Sequence, residues 1–123
     1  MLLTLLLLAA TPGCNAPRSQ LAMTQCAGLE YAQADAAMTA QWKRTYAYMK
    51  GRDAQDTSRG GGFGYAAATL ASQRAWLQYR DTQCVVAGGQ YAGGSAQGMA
   101  QTRCKTALTK SRTAELKTLV WPR

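Results

Sequence analysis

Residues 72–84, SQRAWLQYRDTQC, crowd Gln73, Arg74, Trp76, Tyr79, Arg80, Asp81 and Cys84 into about three helical turns. Such a set could move protons, hold an anion or staple a core. The chain contains no histidine, which removes the commonest general base and metal ligand. Ser-His-Asp and Cys-His arrangements are therefore impossible. A zinc site would need all four cysteines, Cys14, Cys26, Cys84 and Cys104, in no usual spacing. The six acids are Glu30, Asp35, Asp53, Asp56, Asp81 and Glu115. Asp53 and Asp56 fall in a glycine-rich segment expected to be flexible, which cannot hold the separation glycoside hydrolysis requires. Glu30 and Asp35 share no helical face, and Arg80 beside Asp81 favours an ionised carboxylate over a proton donor. No catalytic residue, metal or cofactor is expected.

Gln73, Leu77, Arg80 and Cys84 step by four, three and four, the spacing of an inward stripe. An arginine on that stripe needs an acceptor, and Asp35 and Glu115 are the candidates. Arg74 and Asp81, seven apart, share a face but are too distant to pair directly. The expectation is a structural polar network of Asp35, Gln73, Arg74, Arg80, Asp81, Arg112 and Glu115, covered by Trp76 and Tyr79, that fixes helix register.

Three helices must position these groups. Residues 19–50 hold no proline, and Met23, Ala27, Tyr31, Ala34, Met38, Trp42, Thr45 and Met49 trace one face. Ser19 suits an N-cap and Gly51 a stop. Residues 51–64, GRDAQDTSRGGGFG, carry five glycines and read as a flexible connection. GGGFG follows no strand and lacks the Lys-Ser/Thr pair of a phosphate loop. A second helix spans 65–87, with Ala66, Leu70, Gln73, Leu77, Arg80 and Cys84 inward. GGQYAGG turns the chain, and a third helix covers about 95–119, with Met99, Cys104, Leu108, Arg112, Leu116 and Leu119 inward. In the basic stretch Trp42, Tyr46 and Tyr48 alternate with Lys43, Arg44 and Lys50, which reads as core aromatics beside a solvated face. No segment alternates like a strand. The expected fold is all-α, three antiparallel helices running up-down-up.

A chain of 123 residues makes one domain with a small core. Four cysteines in a short chain point to two disulfides. Up-down-up order brings Cys26, Cys84 and Cys104 to one end of the bundle, and Cys14 can fold back to join them. Cys14–Cys26 with Cys84–Cys104 is favoured because each closes a short loop. Cys26–Cys84 with Cys14–Cys104 is also geometrically allowed. MLLTLLLLAA is an apolar run followed by TPGC. It is too short to span a bilayer and has the character of a secretory signal, although no Lys or Arg precedes it. The expectation is a signal at 1–13, its end between 10 and 16, a domain at 14–119 and a tail at 120–123. TPGC also resembles a lipoprotein cleavage site, but Thr11 stands where leucine is usual, so lipidation of Cys14 is disfavoured. Fourteen Lys and Arg against six acids give a net charge of +8, suited to anionic envelope polymers. Export disfavours nucleic acid.

Three segments carry a family likeness. TQCAGLEYAQADAAM supplies Cys26, Ala27, Tyr31, Ala34 and Asp35. SQRAWLQYRDTQC supplies Gln73, Arg74, Trp76, Tyr79, Arg80, Asp81 and Cys84. CKTALTKSRTAEL supplies Cys104, Thr109, Arg112, Thr113, Glu115 and Leu116, while Cys14 lies twelve before Cys26. Over about 14–119 the chain resembles the lysozyme inhibitor LprI-like N-terminal domain family, small exported four-cysteine domains. The resemblance implies a disulfide role for Cys14, binding of lysozyme or another envelope protein rather than catalysis, and an insertion at GGGFG.

Overall fold

The computed structural model describes residues 14–58 and 60–122. The expected signal at 1–13 lies outside them. Three helices form: α1 (Gln20–Gln55), α2 (Tyr65–Gly88) and α3 (Gln97–Thr118), with a short 3-10 turn at Gly89–Tyr91. No strand occurs among the described residues. The fold is the expected all-α, up-down-up bundle stapled by two disulfides. α3 packs most extensively on α1, less on α2, and α1 and α2 touch each other least.

α1 starts where Ser19 Oγ accepts the Ala22 N–H at 3.1 Å, satisfying one of the donors a helix start leaves free. It does not stop at Gly51. It runs on to Gln55, because the added turn carries Arg52 and Asp53 into contact with the next helix. Asp53 Oδ1 accepts from Tyr65 N at 2.7 Å and Oδ2 from Ala66 N at 3.0 Å. Gly64, the residue before α2, has no side chain to cap it, so the end of α1 does the capping.

The buried set is thin and half polar. α1 buries Cys26, Ala27, Ala34, Met38, Gln41, Thr45 and Met49. α2 buries Thr69, Gln73, Arg80, Cys84 and Gly88, and α3 buries Met99, Thr106, Thr109, Arg112 and Leu116. Leu70, Leu77 and Leu108 are only half-buried, unlike their expected inward placement. The buried line of α2 turns toward α3. Leu70 and Leu77 face the wider seam with α1 and, with Met38 and Trp42, line a groove of about 360 Å³. On α3, Thr106 and Thr109 replace Leu108 inside, each slim and each able to bond within the bundle. Thr106 donates to Thr102 O at 3.2 Å. Thr45 Oγ1 donates to Leu116 O at 2.8 Å, a carbonyl near the end of α3 where partners run short.

The disulfides are Cys14–Cys26 and Cys84–Cys104, and no cysteine is free. The alternative pairing is not adopted, and the Cys14 sulfur that a lipid anchor would need is occupied. Beside the second bridge α2 and α3 come very close. A Cβ on Gly88 would lie 2.6 Å from Gln101 Cγ, so a larger residue there would have to push the Gln101 side chain aside.

Each bridge removes loop entropy from the unfolded chain. A Cys84→Ser/Cys104→Ser variant is expected to lose about 2–4 kcal/mol in urea unfolding. The Cys14→Ser/Cys26→Ser variant should lose less, its loop being 12 residues rather than 20. Non-reducing mass spectrometry should find no thiol available to alkylation.

Candidate functional site

At mid-bundle two arginines are nearly sealed from water, Arg80 at 7% and Arg112 at 8% exposure. α2 supplies Arg80, which donates through Nε to Asp81 Oδ1 at 3.0 Å and through Nη1 to Thr109 Oγ1 at 3.4 Å. Its Nη1 also lies 3.7 Å from Asp35 Oδ1 on α1. α3 supplies Arg112. Its Nε donates to Gln73 Oε1 at 2.9 Å, its Nη2 to Ser72 Oγ at 3.1 Å and its Nη1 to Glu115 Oε2 at 3.0 Å. Both guanidiniums lie near the Trp76 ring, at 5.3 Å for Arg80 and 5.8 Å for Arg112, and Arg80 also stands 5.6 Å from Tyr31. Ring faces and hydrogen bonds together replace the water these cations gave up.

Of the network expected from sequence, Asp35, Gln73, Arg80, Asp81, Arg112 and Glu115 stand in two clusters meeting at Trp76. Glu115 serves Arg112, while Arg80 is left to Asp35 and Asp81. Arg74 does not join: it is exposed at the rim of the α1–α2 groove, pointing off the buried line by one helical step. Tyr79 is 52% exposed and covers nothing; Tyr31 covers Arg80 instead. Burial raises the Tyr31 phenol above its ordinary pKa, against the opposing pull of Arg80. No buried side-chain nitrogen or oxygen lacks a partner among the described residues. Asp35 and Gln73 also reach the wall of the α1–α2 groove.

The opposite end from the disulfides is more exposed. Arg52 donates to Tyr65 Oη at 3.2 Å and lies 4.8 Å over that ring and 5.1 Å over Trp121. Tyr48 meets Trp121 edge-on at 6.3 Å and donates to its carbonyl at 3.3 Å. Trp121, within the expected tail, thus packs back onto α1. The segment expected to be flexible is also tied. Asp56 Oδ1 accepts from Ser58 Oγ at 2.6 Å and Ser58 N at 2.9 Å, and Oδ2 accepts from Phe63 N at 2.9 Å. The Ser58 hydroxyl first, then the backbone N–H groups of Phe63 and Ser58, hold the Asp56 carboxyl below its usual pKa. Trp42 stacks on Tyr46 at 5.1 Å, both half-buried rather than core.

Sequence reasoning missed the Arg52–Tyr65–Trp121 cluster and the Asp53 cap. No local pattern marks a contact between residues so far apart in the chain. Tyr31 could have been found, since it already lay on the expected inward face of α1.

Among the described residues no three His, Cys, Asp or Glu side chains gather as metal ligands, and no helix is long and apolar enough to cross a membrane. What fold and centre define is a small disulfide-stapled helical domain whose buried polar groups bond to one another. Residues 14–116 match the model of the lysozyme inhibitor LprI family, and the chain belongs to that family. It is similar to an uncharacterised protein of Rhizobium meliloti, 36% identical over 110 residues, which cover 89% of this chain and 79% of that one. No solved structure matches it.

Arg112→Lys keeps the charge but loses the planar fork that serves Gln73, Ser72 and Glu115 together. It is expected to cost about 1–3 kcal/mol in chemical denaturation, whereas Glu115→Gln, on an exposed partner, should change stability by less than about 1 kcal/mol. Asp56 should report on pH. Its folded pKa is depressed, so its contribution is complete above the unfolded value near 3.8 and lost as pH falls below it. The Phe63 amide resonance should shift through that acid window, and Asp56→Asn should remove the transition.

Proposed function

We propose that this chain is an exported, non-catalytic binding protein that inhibits lysozyme by protein–protein contact. Membership of the lysozyme inhibitor LprI family over nearly all described residues carries this reading. The bonding of the two buried arginines within the protein supports it, since no buried polar side chain is left free to act on a substrate among the described residues. Absence of histidine removes the usual routes to hydrolysis. Two disulfides support an oxidising compartment, periplasmic or extracellular, and the apolar run at residues 1–10 supports export.

Charge constrains how such binding works. Common animal lysozymes are strongly basic, and a partner of net charge +8 is repelled at long range. The contact must therefore rest on short-range shape and apolar burial. The same charge favours a second reading, an envelope-associated module that holds anionic surface polymers. Every ion pair among the described residues belongs to buried Arg80 or Arg112. Lys43, Arg44, Arg74, Arg103, Lys110 and Lys117 are exposed and so face solvent without acidic partners.

Oxidised protein at micromolar concentration is expected to inhibit at least one lysozyme class in a cell-wall turbidity assay. Inhibition should persist between about 50 and 200 mM salt, over which binding to a polyanion falls by orders of magnitude. No inhibition of any class, with steeply salt-dependent polymer binding, would reverse the order of the two readings.

A further inference from the structure

Phe63 is the chain's single phenylalanine, and it stands 70% exposed. Contiguous exposed apolar groups mark contact sites, and Phe63 continues into Tyr65 and Trp121. The backbone here is ordered by its own chemistry. Asp56 fastens the Phe63 N–H and Asp53 fastens Tyr65 and Ala66 two and three residues on. Gly60, Gly61, Gly62 and Gly64 all take positive φ, a region other residues enter at a cost. At Gly62 a Cβ would stand 3.0 Å from Asp56 Oδ2, so the turn closes tightly on the carboxylate. The Phe63 ring rests 4.7 Å from Tyr65. Tyr65 in turn meets Trp121 at 6.1 Å, and Trp121 is itself 40% exposed. The result is a preformed aromatic projection at the end of the bundle opposite the disulfides.

We propose that Phe63, on the 60–64 turn, is the inhibitory plug, entering the saccharide-binding cleft of a lysozyme while Trp121 and Arg52 rest on its rim; this rests on the lysozyme reading above. A cleft that takes a glycan chain is concave and offers surfaces for flat sugar rings. The projection complements it in shape. Asp53 and Asp56 engage both their oxygens with the chain's own N–H and hydroxyl groups, which sets the turn so that the aromatic ring faces outward. The bonds to Phe63, Tyr65 and Ala66 constrain the C-terminal side of the turn before binding, which lowers the ordering entropy that opposes insertion.

The test uses the oxidised full chain against a lysozyme that it inhibits. Phe63→Ala is expected to raise the inhibition constant at least about thirtyfold, the scale of an anchor residue. Val86→Ala, equally exposed at 71% on the last turns of α2, should change it less than about twofold. Circular dichroism of both variants should match the parent, since neither ring nor methyls are buried. Chitotriose, which fills the cleft, should compete with the parent protein for lysozyme. An unchanged constant for Phe63→Ala, or binding indifferent to chitotriose, overturns the plug and leaves the proposed function standing. A parent protein that inhibits no lysozyme overturns both.

Discussion

The bond from Arg112 Nε to Gln73 Oε1 is the constraint around which the bundle is arranged. The largest side chains with essentially no exposure are one leucine, two threonines and a cysteine, too little apolar volume to lock three long helices by packing alone. A nearly buried cation with an amide partner supplies what packing does not. If α3 slid by one turn against α2, Arg112 would lose Gln73 and Ser72 at once and keep its desolvation cost. Arg80 applies the same logic between α2, α1 and α3, and Trp76 lies beside both cations. Register is thus fixed by directional groups, and the disulfides hold one end.

Much of this was legible in the residues. An arginine on an inward stripe demands an acceptor, and Asp35 was one of two acids placed to serve Arg80. Ser19 announced the start of α1. The short-loop argument chose the disulfide pairing. The errors share a cause. Gly51 looks like a stop only if helices end for local reasons, yet the final turn of α1 is held by Tyr65, Ala66 and Trp121. Thr106 and Thr109 were passed over because apolar periodicity cannot see residues chosen for slimness and a hydroxyl. Arg74 and Arg80 read alike in a motif, and only the direction in which α2 faces separates the exposed one from the buried one.

The candidate site was legible in a different sense. SQRAWLQYRDTQC marks the family and organises the interior, so its density of polar groups is a signature of architecture. The surface proposed to meet a partner is written in weaker marks: glycines whose φ values other residues resist, two aspartates whose oxygens are already engaged, and one exposed phenylalanine. None has a periodicity, and each gains meaning only when helix ends more than ten residues apart in sequence come together.

The order of the bridges has a further consequence. Each joins a cysteine to the next one along the chain, Cys14 to Cys26 and Cys84 to Cys104. A polypeptide entering an oxidising space from its N-terminus can therefore make the first bond before the second pair emerges. Oxidising neighbours as they appear yields the native set, with no mispaired intermediate to be reshuffled by slow thiol exchange. A domain with so little apolar core has reason to reach its covalent form by the shortest route, and its cysteine order permits assembly without an isomerase.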